Sequence, residues 1–128
     1  NNSCFFNVLL QSLLQCDELV LFMKTLPLIS TTPILQLFQQ IITVYSSSTL
    51  VAVNADQFKL KVLSVLSEIY SRSFTIGFQQ DAHEFFSHIL DLFNRELEVL
   101  RHHSVCIDNF FLVNYTQTIE CLHCQHRT

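Results

Sequence analysis

Apolar residues recur with a helical period over the first two-thirds of the chain. From Cys4 they fall at Phe6, Leu9, Leu10, Leu13 and Leu14, a stripe of period 3.6. Asn2 or Ser3 can cap that helix, which places Cys4 in its first turn. A short second helix is expected from Asp17 to Leu26, stopped near Pro27. A third starts with Thr31 or Thr32 as its cap and Pro33 just inside, with Ile34, Leu37, Phe38, Ile41 and Ile42 on one face. Ser46–Thr49 reads as a polar connector. Asn54 with Gln57 resembles a capping box, followed by Phe58, Val62, Val65, Leu66 and Ile69 as a buried side.

Residues 72–78 read as a loop containing the only glycine, Gly77. The longest helix is expected from about Gln80 to Leu100. Its apolar stripe holds Ala82, Phe85, Phe86, Ile89, Leu90, Phe93, Leu97 and Leu100, and its polar side Asp81, Glu84, His88, Asp91 and Arg95. Glu96 falls inside the apolar stripe and interrupts it. After His102 and His103 the period changes to two, through Ile107, Phe111, Val113, Tyr115 and Ile119, so 107–120 is expected to form a strand or two.

Composition narrows the functional classes. The 128 residues are 49 % hydrophobic and 14 % charged, against roughly 25 % charged in a typical domain, which excludes a disordered chain. A net charge of −4 leaves no basic footprint for nucleic acid or anionic lipid. The longest apolar run, Leu19–Met23, is far short of a membrane span, and no secretory leader is expected. A single glycine stands where average usage gives roughly nine, so the chain reads as a piece of a larger domain. Five cysteines, an odd number, argue against a secreted disulfide framework and for a reducing compartment, cytosol or nucleus.

Cys4 is the first candidate for chemistry. A thiol in a helix's first turn meets the positive end of the macrodipole and free backbone N–H groups, both of which favour thiolate. An ordinary small buried residue is the competing reading of its position. His83-Glu84-Phe85-Phe86-Ser87-His88 is not a zinc-protease helix: its histidines are five apart, roughly 140° around the axis, and cannot share a metal. His102 and His103 read as solvated cations near a helix C-terminus. Cys121-x-x-Cys124 reads as half of a four-ligand zinc site, with His123 or His126 as candidates for the shell and two unpaired surface thiols as the alternative. A thioredoxin-like pair does not fit, because that motif opens a helix after a strand.

Asn2-Ser3-Cys4-Phe5-Phe6-Asn7, followed by Leu10-Gln11-Ser12-Leu13, resembles the cysteine box of the ubiquitin-specific proteases, Gly-Asn-Thr-Cys-Tyr-x-Asn-x-x-Leu-Gln. Gly77-Phe78-Gln79-Gln80-Asp81-Ala82-His83-Glu84-Phe85-Phe86 resembles the family's Gln-Gln-Asp-x-x-Glu-Phe box. Ile119-Glu120-Cys121-Leu122-His123-Cys124 resembles the first half of its zinc-binding finger. The three blocks lie in family order and together span almost the whole chain.

The resemblance implies an α+β, papain-like cysteine protease fold. Residues 1–128 would be a partial catalytic domain, with a mostly helical thumb over 1–105 and the start of the β fingers over 106–128. It implies that Cys4 is the nucleophile attacking the carbonyl of ubiquitin's C-terminal glycine, and that a water hydrolyses the resulting thioester. Gln80, Asp81 and Glu84 would line the groove for ubiquitin's tail; ordinary helix-start chemistry is the competing reading of those residues. Cys121 and Cys124 would hold a structural zinc, with no cofactor needed for catalysis. The partners implied are ubiquitin and ubiquitinated proteins.

Asn1 stands where the family pattern has glycine, a mild departure because Asn tolerates left-handed backbone. The family's catalytic histidine and its Asp or Asn partner have no counterpart here, so residues 1–128 alone are expected to be inactive. Two rival readings are a catalytically inactive ubiquitin-binding or scaffold protein, and an all-helical interaction domain with a zinc knuckle.

Overall fold

A computed structural model describes residues 3–27, 30–47, 54–70, 81–101 and 105–128. The described residues form five helices and one short turn of 3-10 helix. The helices are α1 (Cys4–Gln15), α2 (Asp17–Lys24), α3 (Pro33–Ser46), α4 (Asp56–Tyr70) and α5 (Ala82–Val99), and the 3-10 turn is Ile107–Phe110. Between α1 and α2 the chain bends by 79° at Cys16. No single helix among the described residues is long and apolar enough to cross a membrane.

α5 packs against α1 and α3, and α3 also packs against α2 and α4. Their apolar stripes converge on a cluster of phenylalanines. Phe58 of α4 lies 5.8 Å from Phe6, 5.7 Å from Phe38 and 6.5 Å from Phe93, centroid to centroid. Phe38 and Phe93 are 5.1 Å apart. All four rings are fully buried, each contributing about 1.5–3 kcal/mol by leaving water.

Polar side chains close the helix ends that local sequence leaves open. Thr32 occupies the N-cap position of α3 but its side chain makes no cap bond. Glu96 of α5 supplies the cap instead: its two carboxylate oxygens accept from the N–H groups of Ile34 (2.9 Å) and Leu35 (2.8 Å). The polar residue that interrupts the α5 stripe is therefore the cap of a helix 62 residues earlier in the chain. Burial raises the Glu96 pKa above its ordinary value, while the two backbone bonds and, last, Lys61 pull it back. At the end of α2, the Gln39 amide donates to the carbonyls of Met23 (2.6 Å) and Leu26 (2.9 Å). That helix stops at Lys24, before the expected Leu26, with a hydroxyl bond from Thr25 to the Phe22 carbonyl. Asn54 caps α4 through a short local bond, its Oδ1 accepting from the Asp56 N–H at 2.9 Å.

The strands expected over 107–120 are absent from the described residues. Ile107–Phe110 is instead a 3-10 turn packed on the helical body: Ile107 is buried, Phe110 lies on Phe22 and Phe111 on Phe86. Asn94 holds the turn by accepting from the Ile107 N–H at 2.8 Å. From Leu112 to Ile119 the chain is exposed, and Leu112, Val113, Tyr115 and Ile119 bury little. The alternating pattern is real, but a strand needs a neighbour for its N–H and C=O groups. Among the described residues the pairing is a single antiparallel bridge, Glu120 with Arg127.

Candidate active site and zinc knuckle

Cys4 stands in the first turn of α1 and is exposed, although the next two residues, Phe5 and Phe6, are buried. That alternation turns the thiol outward while anchoring its neighbours. Phe5 meets Phe85 of α5 edge to face at 5.1 Å, and Phe6 meets the same ring at 6.2 Å. Phe85 is the fourth residue of α5. The contact therefore brings together the starts of two helices, one bearing Cys4 and the other Asp81 and Glu84.

Asp81 is the N-cap of α5, and its Oδ1 accepts from the Glu84 N–H at 2.8 Å. Asp81 is an exposed residue. Glu84 is exposed and lies 3.6 Å from Nε2 of His88 one turn on. Nδ1 of His88 lies 3.1 Å from the Tyr70 hydroxyl, and the two rings pack at 4.6 Å. Gln80, with the Gly77–Gln79 part of its box, lies outside the described residues, as do Asn1 and Asn2. Among the described residues no histidine bonds to the Cys4 thiol.

Ser3 precedes Cys4 and stands at the N-cap position of α1, yet its hydroxyl makes no cap bond. That hydroxyl accepts from Nζ of Lys59 on α4. Nothing in the periodicity of α4 marks Lys59, because an amphipathic pattern does not register a charged residue on the buried side. Beside this contact an open groove of about 660 Å³ runs between α1, the end of α3 and the start of α4, and Ser3, Asn7, Gln11, Tyr45 and Asp56 line it.

The second group of interest is at Cys121–Cys124. Backbone bonds fold residues 119–128 into a tight loop. Ile119 and Thr128 exchange two bonds (3.1 and 3.0 Å), Cys121 N–H donates to His126 (2.9 Å), and Gln125 N–H donates to Cys121 (2.8 Å). Gln125 closes the turn in the left-handed region at φ 58°. The exposed Glu120–Arg127 ion pair at 2.8 Å spans the open end. The N–H groups of Cys124 and then His123 point at the Cys121 sulfur and, with the Cys124 thiol, lower its pKa.

Cys121 and Cys124 would supply two sulfurs of a tetrahedral zinc shell, and N–H donors to a ligating sulfur fit that duty. No group of three or more metal-ligating side chains comes together among the described residues, so neither His123 nor His126 joins them.

No curated protein and no solved structure matches the chain. The family model described as ubiquitin carboxyl-terminal hydrolase matches residues 1–128, the whole length. Helix α1 with an exposed first-turn cysteine, packed through Phe5 on the start of α5, belongs to a chain whose every residue falls within that match. The chain is a member of the ubiquitin carboxyl-terminal hydrolase family.

Proposed function

We propose that the protein carrying this chain is a thiol-dependent deubiquitinase and that Cys4 is its nucleophile. The observation that carries the reading is the exposed Cys4 at the start of α1, fixed against the start of α5 by Phe5 and Phe85. The family's chemistry is that of a cysteine hydrolase and needs no catalytic cofactor.

In the proposed reaction the Cys4 sulfur adds to the carbonyl carbon of ubiquitin's C-terminal glycine. The bond to the leaving amine breaks, the amine departs with a proton, and a thioester remains. Water then adds to the thioester, releasing the ubiquitin carboxylate and returning the thiol. Both proton transfers require a base and acid within hydrogen-bond reach of the sulfur, supplied by a histidine with an Asp or Asn partner from outside residues 1–128. On this reading residues 1–128 alone do not cleave.

Gln80, Asp81 and Glu84 are proposed to receive ubiquitin's extended tail. The exposed carboxylates of Asp81 and Glu84 are acceptors suited to tail arginines and backbone N–H groups. Cys121 and Cys124 are proposed as two ligands of a structural zinc in the fingers. All five cysteines are free, which fits a reducing compartment such as cytosol or nucleus.

Hydrolysis of a fluorogenic amide on the C-terminus of ubiquitin tests the reading in the full-length protein. Turnover that disappears in Cys4→Ala, with ubiquitin binding retained, is the expected result. Ubiquitin binding without turnover in the unsubstituted protein would establish an inactive ubiquitin binder instead.

A further inference from the structure

Lys59 is the one charged side chain buried among the described residues, at 8 % exposure. A lysine at that depth ordinarily answers to a carboxylate, because an ammonium loses heavily on leaving water. Here the partner is neutral. Nζ donates to the Ser3 hydroxyl and stands 6.0 Å from the centroid of the Phe6 ring, within cation–π range. Phe58, beside Lys59 in sequence, is locked in the aromatic core, so the ammonium is delivered from a rigid element.

The acceptor is the residue immediately before Cys4, and it has two connections. The Ser3 carbonyl accepts from the Asn7 N–H at 3.0 Å, the first bond of α1. Its hydroxyl would normally accept from an N–H of the first turn, as serines at this position do, yet it makes no such bond. Its engagement with Lys59 leaves the first turn of α1 uncapped by Ser3.

We propose that Lys59 is a positioning residue for Cys4. It grips Ser3 through the hydroxyl, fixes where α1 begins and how Cys4 is presented, and keeps Ser3 from folding over the first-turn N–H groups. The inference rests on Cys4 being the nucleophile, as proposed above. It adds a residue on another helix, 56 positions from Ser3, to what sets the geometry of the thiol.

The test compares Lys59→Met, Lys59→Arg, Ser3→Ala and the double variant Lys59→Met/Ser3→Ala in the full-length protein. Met keeps an unbranched stem over Phe6 without the ammonium, and Arg keeps a charged donor. Lys59→Met and Ser3→Ala are each expected to lower kcat on a ubiquitin C-terminal amide about tenfold with KM unchanged, the scale of one hydrogen bond to a charged group. The double variant is expected to be no worse than either single one, and Lys59→Arg to recover most of the loss. The rate at which iodoacetamide labels Cys4, read by peptide mass spectrometry, is expected to fall alongside and does not depend on ubiquitin.

Unchanged kcat and labelling in a folded Lys59→Met protein would overturn the proposal. So would losses that multiply in the double variant, or a change confined to KM. If Lys59→Met does not fold, Ser3→Ala leaves the core intact and carries the same expectation; an unchanged Ser3→Ala protein overturns the proposal. If the unsubstituted protein cleaves no ubiquitin amide, the functional reading fails while the labelling comparison still decides the role of Lys59.

Discussion

The rings of Phe5 and Phe85 meet edge to face, centroids 5.1 Å apart and planes at 81°. One residue follows Cys4, and the other follows Glu84. This contact brings together the starts of α1 and α5, some eighty positions apart in the chain. Edge-to-face pairs contribute about 0.5–1.5 kcal/mol beyond the area they bury. Phe85→Ala also opens a cavity under Phe6, and a destabilisation of about 3–5 kcal/mol is expected from urea unfolding. A loss below about 1 kcal/mol, the scale of a surface substitution, would show that the two helix starts are not packed this way.

Glu96 is expected to behave as a cap. Glu96→Gln replaces one acceptor oxygen with an NH2 group facing an N–H of α3, and should cost about 1–3 kcal/mol at neutral pH.

The pH dependence of that variant carries its own sign. Burial raises the folded-state pKa of Glu96, so between the unfolded and folded values the folded state holds more protons. The contribution of Glu96 to stability is then full below its unfolded pKa and is lost as pH rises through the folded one. The gap between the unsubstituted protein and Glu96→Gln should widen as the solution is acidified from neutrality into that window. A gap that narrows on acidification contradicts the environment described for Glu96.

At the knuckle the two thiols should react unequally. Lowered by the N–H groups of Cys124 and His123, the Cys121 thiol holds more thiolate near neutral pH, and thiolate is the form that alkylates. Competitive labelling with limiting iodoacetamide is expected to modify Cys121 ahead of Cys124, and added zinc to protect both. Equal labelling, or preference for Cys124, would remove the electrostatic argument for a metal-binding turn.

Asn94 should hold the 3-10 turn in place. Asn94→Ala leaves the Ile107 N–H without its acceptor, and a loss of about 1–3 kcal/mol is expected. Proteolysis after Phe110 or Phe111 should accelerate with it. An unchanged cleavage rate would mean that the aromatic contacts of Phe110 and Phe111 fix the turn by themselves.

Much of the helical body was legible in the chain because each helix carries its own stripe. Phe6, Leu9 and Leu13 announce α1, and Phe85, Ile89 and Phe93 announce α5, without reference to anything distant. What stayed hidden is what acts across the fold. Glu96 reads as a flaw in the α5 stripe until α3 is laid against it, and nothing in the α4 stripe singles out Lys59 until Ser3 is beside it. The alternation over 107–120 reads as strand, yet pairing is a property of two segments, and among the described residues only its end is paired, Ile119 with Thr128 and Glu120 with Arg127. The place of Cys4 in a first turn was legible, since the α1 stripe and the residues before it fix where that helix begins. That Cys4 lies beside the start of α5 required the packed structure.

The central claim is that Cys4 is the nucleophile toward ubiquitin's C-terminus. A ubiquitin bearing a thiol-reactive electrophile in place of its C-terminal carboxylate, incubated with the full-length protein, tests it most directly. One covalent adduct mapped by mass spectrometry to Cys4, and abolished in Cys4→Ala, is the predicted result. A folded protein that forms no adduct, or forms it on another cysteine while Cys4 stays free, would contradict the account.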